Sequence, residues 1–449
     1  MNTSDELARL GQALRRSATL RLLGIAGLVL LLLIPATMLS QLVSERSQRR
    51  DEALREMSDK WGDAQTLAGP ALAVPVLERE PGQADGGRRV TRRIVHLLPS
   101  DLDVQGSLAP ERRRRGLFEA VLYRASLQLE GRFDPAKLVL PGVAPQDVLW
   151  SEAVLELGIS DLAGVADRIS AQFEGKACRI EPGLPAPGLA ASGVHAVLPV
   201  AIGAGGGRFS IHLELNGSED LLVAPVGETT RMRLSSAWTD PSFRGGFLPV
   251  KSRIDKHGFE ANWQVLDLNR NFPQVLQGPN QELAKTAFGV RLYDAADVYQ
   301  QATRVSKYAV LLLVFTFAAF FLTETTSRRS VHPIQYILVG LATLLFYLLL
   351  LALGEYLPFG LAYLLAAASI TALVAGYSRA ATGSPRFQWV VAALLTTLHG
   401  YLYLVLQLED YALLMGSLGL LAVLAAVMFF TRRIDWYSAG ATPESPSDS

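Results

Sequence analysis

Residues 304–336 read RVSKYAVLLLVFTFAAFFLTETTSRRSVHPIQY, and here a long polar region punctuated by Gly and Pro gives way to one almost free of charge. Nothing between Lys307 and Glu324 is charged, and the run is close to the length that crosses about 30 Å of hydrocarbon as a helix. Arg328 and Arg329 close it at the far end, and an excess of Lys and Arg marks the cytoplasmic side of a span. The chain therefore divides into a membrane block downstream and, upstream, a region that must be exported or docked.

Working outward, five apolar runs follow one another: Val305 to Thr323, Ile334 to Leu353, Leu357 to Tyr377, Phe387 to Leu406 and Tyr411 to Thr431. Their connections alternate between Arg-bearing (Arg328 and Arg329, Arg379 and Arg386, Arg432 and Arg433) and acidic (Glu355, then Glu409 and Asp410). This alternation places both termini in the cytoplasm. A further run, Leu22 to Leu39, follows Arg9, Arg15, Arg16 and Arg21. It is too long for a signal-peptide core and lacks a small-x-small cleavage site, so it reads as an uncleaved signal anchor.

The expected fold class is an α+β membrane protein with six transmembrane helices and a large β-rich periplasmic domain between helices 1 and 2. In residue numbers this gives a cytoplasmic N-terminus (1–21), a first span (22–43), the periplasmic domain with a helical stalk (44–304), a five-helix block (305–431) and a cytoplasmic tail (432–449). The stalk is suggested by Leu54, Met57 and Trp61, which recur at helical spacing in a charged stretch.

Between Ala71 and Leu292 the texture is that of strands. Ala71 to Leu77, Arg93 to Leu98, Ala120 to Glu130, Trp150 to Leu157, Thr230 to Trp238, Phe259 to Leu268 and Phe288 to Leu292 are short alternating or β-branched runs bounded by turn residues. Val194 to Ile202 and Arg208 to Leu215 flank Gly203-Ala204-Gly205-Gly206-Gly207, a linker with no GK[ST] after it, which reads as a hairpin turn rather than a phosphate cradle. A loose internal repeat pairs Leu127 to Gly131 with Leu213 to Gly217 and sets Asp161 against Asp240, so two similar β subdomains are one expectation and two ordinary meanders the other. The basic run Arg112 to Arg115 reads as a solvated loop between strands. The turn Trp238 to Pro249, WTDPSFRGGFLP, reads as a packed corner.

Composition excludes several classes. The net charge of +0 argues against a nucleic-acid partner, which needs a basic face. Cys178 is the single cysteine, so no internal disulfide or thiolate cluster forms. No HExxH, GxSxG, Walker or CxxC sequence is present, and the six histidines are not spaced as helix-borne metal ligands. No catalytic residue, metal or cofactor is expected. The functional pointers left are polar groups in or beside lipid, which are costly unpaired: His399 at depth, and Glu324, His332 and Glu355 near the interfaces, with Asp161 and Asp240 in the β region. His399 either takes a proton or headgroup or bonds a backbone carbonyl of a neighbouring helix.

Several longer stretches resemble one family. WGDAQTLAGPALAVP (Trp61 to Pro75), HLLP (His96 to Pro99), SSAWTDPSFRGGFLP (Ser235 to Pro249), NRNFPQ (Asn269 to Gln274), the block Phe288 to Glu324 and the block His332 to Tyr363 are similar to motifs of the CreD inner-membrane, cell-envelope integrity proteins. The resemblance weakens after Tyr377 and between Pro182 and Ser192. It implies a bacterial inner-membrane protein whose expression is linked to an envelope-stress and nutrient response, with effects on colicin tolerance and the response to β-lactams. It supplies no agreed catalytic residues. The reading is a non-enzymatic protein acting through membrane lipids, an envelope protein or another envelope component; the rival is a lipid- or small-ligand-handling protein that uses the helical block.

Overall fold

A computed structural model describes residues 18–80, 89–141, 143–186, 188–199, 206–278, 282–292, 298–327, 332–408 and 411–432. The chain forms two compact units, one of residues 51–295 and one of residues 1–50 together with 296–449. Helix α1, Ala18–Trp61, is a single 44-residue element that passes from one to the other. It carries Pro35 in its interior, which apolar spans tolerate where neighbours satisfy the freed carbonyl.

Among the described residues the β unit holds seventeen strands in chain order: β1 Gln65–Glu80, β2 Arg89–Leu97, β3 Asp101–Arg115, β4 Phe118–Phe133, β5 Val154–Ile159, β6 Ser170–Phe173, β7 Lys176–Ala177, β8 Arg179–Pro182, β9 Gly193–Val197, β10 Gly207–Ser218, β11 Asp220–Val223, β12 Thr229–Ser236, β13 Pro241–Gly245, β14 Lys251–Asp255, β15 Gly258–Leu266, β16 Val275–Leu276 and β17 Phe288–Leu292. A short helix, α2 (Glu282–Thr286), precedes the last strand. One sheet runs β13-β17-β11-β1-β5-β9-β8, with β2 and β16 branching from β1; the other runs β14-β15-β12-β3-β4-β10-β6-β7. Alternation decides which face of each strand turns inward. In β10 it is Phe209, Ile211, Leu213 and Leu215 that are buried, each worth about 1.5–3 kcal/mol of transfer free energy. They join one apolar core drawn from both sheets, including Leu72, Val74, Leu97, Leu127, Leu155 and Trp263.

Three expectations change here. Residues 194–202 and 208–215 do not form a hairpin: β9 pairs with β5 and β8 in one sheet, while β10 pairs with β4 and β6 in the other. Flanking alternation cannot tell a turn that keeps the chain in a sheet from one that carries it across. Nor do the described residues form two similar β subdomains. β4 and β10 lie side by side in the second sheet, whereas β5 and β12, the next supposed equivalents, belong to different sheets, and a single core runs through both halves. Nor is Arg112 to Arg115 a loop. It is the last part of β3, paired with β4 across a turn at Gly116, whose φ of 61° suits glycine. Every arginine in it is engaged: Arg112 and Arg114 on Glu119 at 2.7 Å, Arg113 on Glu111 at 2.8 Å and over the Trp61 ring at 3.7 Å, and Arg115 on Glu56. Trp61 in turn donates its indole N–H to the Tyr123 carbonyl at 3.2 Å.

The aromatic corner is packed as expected. Trp238 is buried, Phe243 meets Phe259 and Trp263 edge-on at 6.0 and 5.6 Å, and Phe247 meets Phe288 at 5.8 Å.

The helical unit continues with α3 (Val298–Lys307), α4 (Ala309–Ser327), α5 (Pro333–Gly354), α6 (Phe359–Thr382), α7 (Pro385–Gln407) and α8 (Ala412–Thr431). Among the described residues four helices are long and apolar enough to cross a membrane: α1, α5, α6 and α7. α4 and α8 are apolar helices of 19 and 20 residues. Phe317, Phe346, Tyr363, Leu395 and Leu402 lie in its core, together with Leu32, Ala36 and Leu39 of α1.

Candidate functional site

Ionisable side chains that the fold withdraws from water are the first place to look for a site, because they are retained at a cost. The most deeply withdrawn lie on the face of the first sheet opposite to Leu72 and Val74 of β1. Leu72 and Val74 of β1 point into the core, which leaves Ala71 and Ala73 on the opposite face. Register sets His96 of β2 opposite Ala73 and Glu156 of β5 opposite Ala71. Directly opposed residues share a face, and the two alanines leave room for the imidazole and the carboxylate to meet across β1. His96 Nε2 lies 3.0 Å from Glu156 Oε2, with both residues 0% exposed. The other polar atoms of the pair, His96 Nδ1 and Glu156 Oε1, are buried without a partner.

The chain closes over this pair tightly. Gly188 holds a φ of 148°, and a Cβ there would stand 3.1 Å from His96 Cε1 and 2.9 Å from the Gly278 carbonyl oxygen. Next to Glu156, in register on β9, is His195, whose Nδ1 lies 2.8 Å from the Gly183 carbonyl and whose Nε2 lies 3.7 Å from Glu181 on β8. His96, Glu156, His195 and Glu181 thus form a transverse row from a sealed end to a half-exposed one. Among the described residues no group of three His, Cys, Asp or Glu is placed to hold a metal ion. A histidine backed by a carboxylate is an acid–base arrangement, but here it is sealed and serves as a buried hydrogen bond across the sheet. Sequence reasoning used His96 only as part of the HLLP motif and missed Glu156; a carboxylate inside the apolar strand VLELGI was the available signal.

The expected site residues fall at separate places. Asp161 caps the turn Leu162–Gly164 by accepting the Ala163 N–H at 2.9 Å, and its other oxygen accepts the Asp63 N–H at 2.9 Å, which ties the end of β5 to the start of β1. Asp240 does something different: its carboxylate accepts the Thr239 hydroxyl at 2.7 Å and its carbonyl accepts the Trp238 indole N–H at 3.1 Å. His332 is the N-cap of α5, its Nδ1 accepting the Ile334 N–H at 3.3 Å while Gln335 accepts the His332 N–H at 3.0 Å. Glu324 lies on α4, and its side chain is outside the described residues, as are Glu409 and Asp410.

His399 is buried on α7, with the Phe346 ring 4.7 Å away. Its Nδ1 lies 2.8 Å from the carbonyl of Leu395, one turn back on the same helix rather than on a neighbouring one. The carbonyl of His399 itself accepts the Tyr363 hydroxyl of α6 at 2.7 Å. The bond expected from the His399 side chain to a neighbouring helix is not made; the interhelical bond at this position runs instead from the Tyr363 hydroxyl to the His399 backbone.

Glu355, just past the end of α5, has a side chain 9% exposed. It accepts the Tyr299 hydroxyl of α3 at 3.2 Å and faces Arg46 of α1 at 3.7 Å. Burial and then the neighbouring carboxylate push the Tyr299 phenol up to about 12, so it keeps its proton and can donate. His332 and Glu355 cap opposite ends of a 22-residue helix, about 33 Å apart at 1.5 Å per residue. Among the described residues, neither unit gathers its expected residues into one site.

The family model of the inner membrane protein CreD matches residues 17–437. This chain belongs to the CreD family. It is 34% identical over 420 residues to the inner membrane protein CreD of Escherichia coli strain K12, an alignment that covers 92% of each chain. Membership agrees with the long apolar helices, and the CreD alignment takes in the β unit as well as the helices.

Proposed function

We propose that the chain supports cell-envelope integrity as a non-catalytic inner-membrane protein, with its β unit in the periplasm and both termini in the cytoplasm. In this reading the β unit engages envelope lipid or protein, and the stress-linked role implied by the CreD resemblance follows from those contacts. The observation that carries it is the insertion of a complete sandwich, with its own core, between the first membrane-length helix and the rest of the helical unit. Such a unit is tethered by the chain at both ends and works within reach of the bilayer. The sealing of His96 and Glu156 favours contact over chemistry.

Ligand handling by the helices is the alternative. A cavity lined by Tyr308, Leu312, Tyr401 and Leu402 measures about 20 Å3, room for a single water-sized molecule.

Two measurements on the full chain, with Cys178 replaced by Ser, test the proposal. An impermeant maleimide applied to intact cells should label Ser252→Cys in the β unit and not Gly383→Cys between α6 and α7; the reverse pattern sinks the orientation. A photo-crosslinking residue at Leu268, Val139 or Leu248, which are 89%, 76% and 73% exposed, should capture one recurrent envelope component. Absence of any adduct at all three positions, in cells where the chain is functional, counts against the contact reading.

A further inference from the structure

α1 is held to the helical unit by little. Only 17% of its membrane window is buried, against 56% for α5. Its buried residues form a stripe, Leu32, Ala36, Leu39 and Val43, at intervals of four, three and four residues, and Ile25, Leu28 and Val29 pack partly buried against the same core. The stripe sits against α5 where Gly340 leaves space; a Cβ there would collide with Leu32 and Phe317. An apolar stripe contributes little to helix association in lipid, because the lipid is equally apolar.

The same spacing continues to Arg46 and Arg50, and it is at Arg46 that the stripe meets a carboxylate. Glu355 is poorly placed by itself. It follows the C-terminus of α5, its N–H bonded back to the Leu351 carbonyl, so a negative charge sits at the negative end of a helix dipole. It is also largely out of water. What compensates it comes from two other elements, Arg46 of α1 and the hydroxyl of Tyr299 on α3. α1 is the segment that leads into the β unit, and α3 is the segment that follows it. Both chain connections therefore meet at one side chain.

We infer that Glu355 is a latch that holds both connections, α1 and α3, against the helical unit, and that removing its charge releases the two together. A polar tie in poorly hydrated surroundings outweighs an apolar stripe that lipid can replace. The latch is a conformational device of the helical unit and stands independently of the proposed envelope role.

The test uses the full chain in nanodiscs, Cys178→Ser, with spin labels in two pairs. One pair, Met38→Cys on α1 and Leu345→Cys on α5, reads the docking of α1. The other, Lys307→Cys on α3 and Leu365→Cys on α6, reads the docking of α3. Glu355→Gln is expected to add a longer-distance population to both pairs, raising it by about tenfold or more, the factor for loss of a charge-assisted hydrogen bond. Tyr299→Phe, the milder change, should do the same to a smaller extent. Arg46→Met/Tyr299→Phe/Glu355→Met, an apolar replacement that lipid can substitute, should leave both pairs as broad as Glu355→Gln does. Unchanged distances in Glu355→Gln, or movement of one pair only, overturn the inference. A narrow distribution in the triple variant does so too, since it would show that apolar packing alone holds α1 and α3 without the polar tie.

Discussion

The two units solve the same problem, how to withdraw a polar group from water, in opposite ways. In the β unit the partners are remote in sequence. His96 and Glu156 are 60 residues apart, Tyr123 donates to the Asp220 carbonyl 97 residues away at 2.6 Å, and Gln274 reaches the Pro99 carbonyl across 175 residues at 2.5 Å. In the helices the partner is usually the carbonyl one turn back. Thr316 bonds Leu312, Thr343 bonds Val339, Ser378 bonds Val374 and His399 bonds Leu395, all four residues apart and at 2.7–2.9 Å. A helix in hydrocarbon must satisfy its groups within reach of its own backbone. A sheet already relies on distant strands for its backbone bonds, and its side chains can use the same neighbours.

The comparison implies that deleting one partner is costly in the β unit and cheap in the helices. The largest effect is expected for Glu156→Leu, which leaves His96 buried without its hydrogen-bond partner and should lower the stability of the β unit by about 1–3 kcal/mol. His96→Leu/Glu156→Leu should recover most of that loss, because replacing both partners by apolar groups removes the unpaired one. Thermal unfolding of the intact chain, followed by the β signal in circular dichroism, measures both. A double variant as unstable as the single one would show that the pair contributes shape rather than polar satisfaction.

In the helical unit His399→Leu should change stability by no more than about 1 kcal/mol, since hydrogen bonds between groups in lipid are modest. It should also leave envelope tolerance intact at normal protein level. A loss of several kcal/mol would mean that His399 is engaged across helices after all, and the contrast between the units would fail.

The smallest effect is a pH dependence at the basic hairpin. Bonds from Arg112 and then Arg114 hold Glu119 below the usual carboxylate range, and bonds from Arg115 and then Lys60 pull Glu56 down to about 2. A depressed carboxylate stabilises the fold above its unfolded value, about 4.3, and that contribution is lost as pH falls through the folded value. Trp61, which lies under Arg113, reports the event. Its fluorescence should be flat down to about pH 5 and change toward pH 2, with the change reduced by salt because the groups are exposed. A change centred near neutral pH would point to a histidine instead.

Much of the molecule was legible from residue patterns alone. Period-two alternation located β1, β4, β10, β12, β15 and β17, the uncharged runs located the helices, and WGDAQTLAGPALAVP with the blocks after Phe288 located the family. These features are local: the apolar pattern of a segment reports which face it buries and how long it stays regular. The tertiary structure decided what is not local. It sent β9 and β10 to different sheets, merged two apparent repeats into one core, turned an apparent basic loop into a paired hairpin, and set His96 beside Glu156. Strand pairing is chosen among all available edges by burial and register across the whole chain. A segment of sequence carries its own periodicity, but its partner is written elsewhere in the chain.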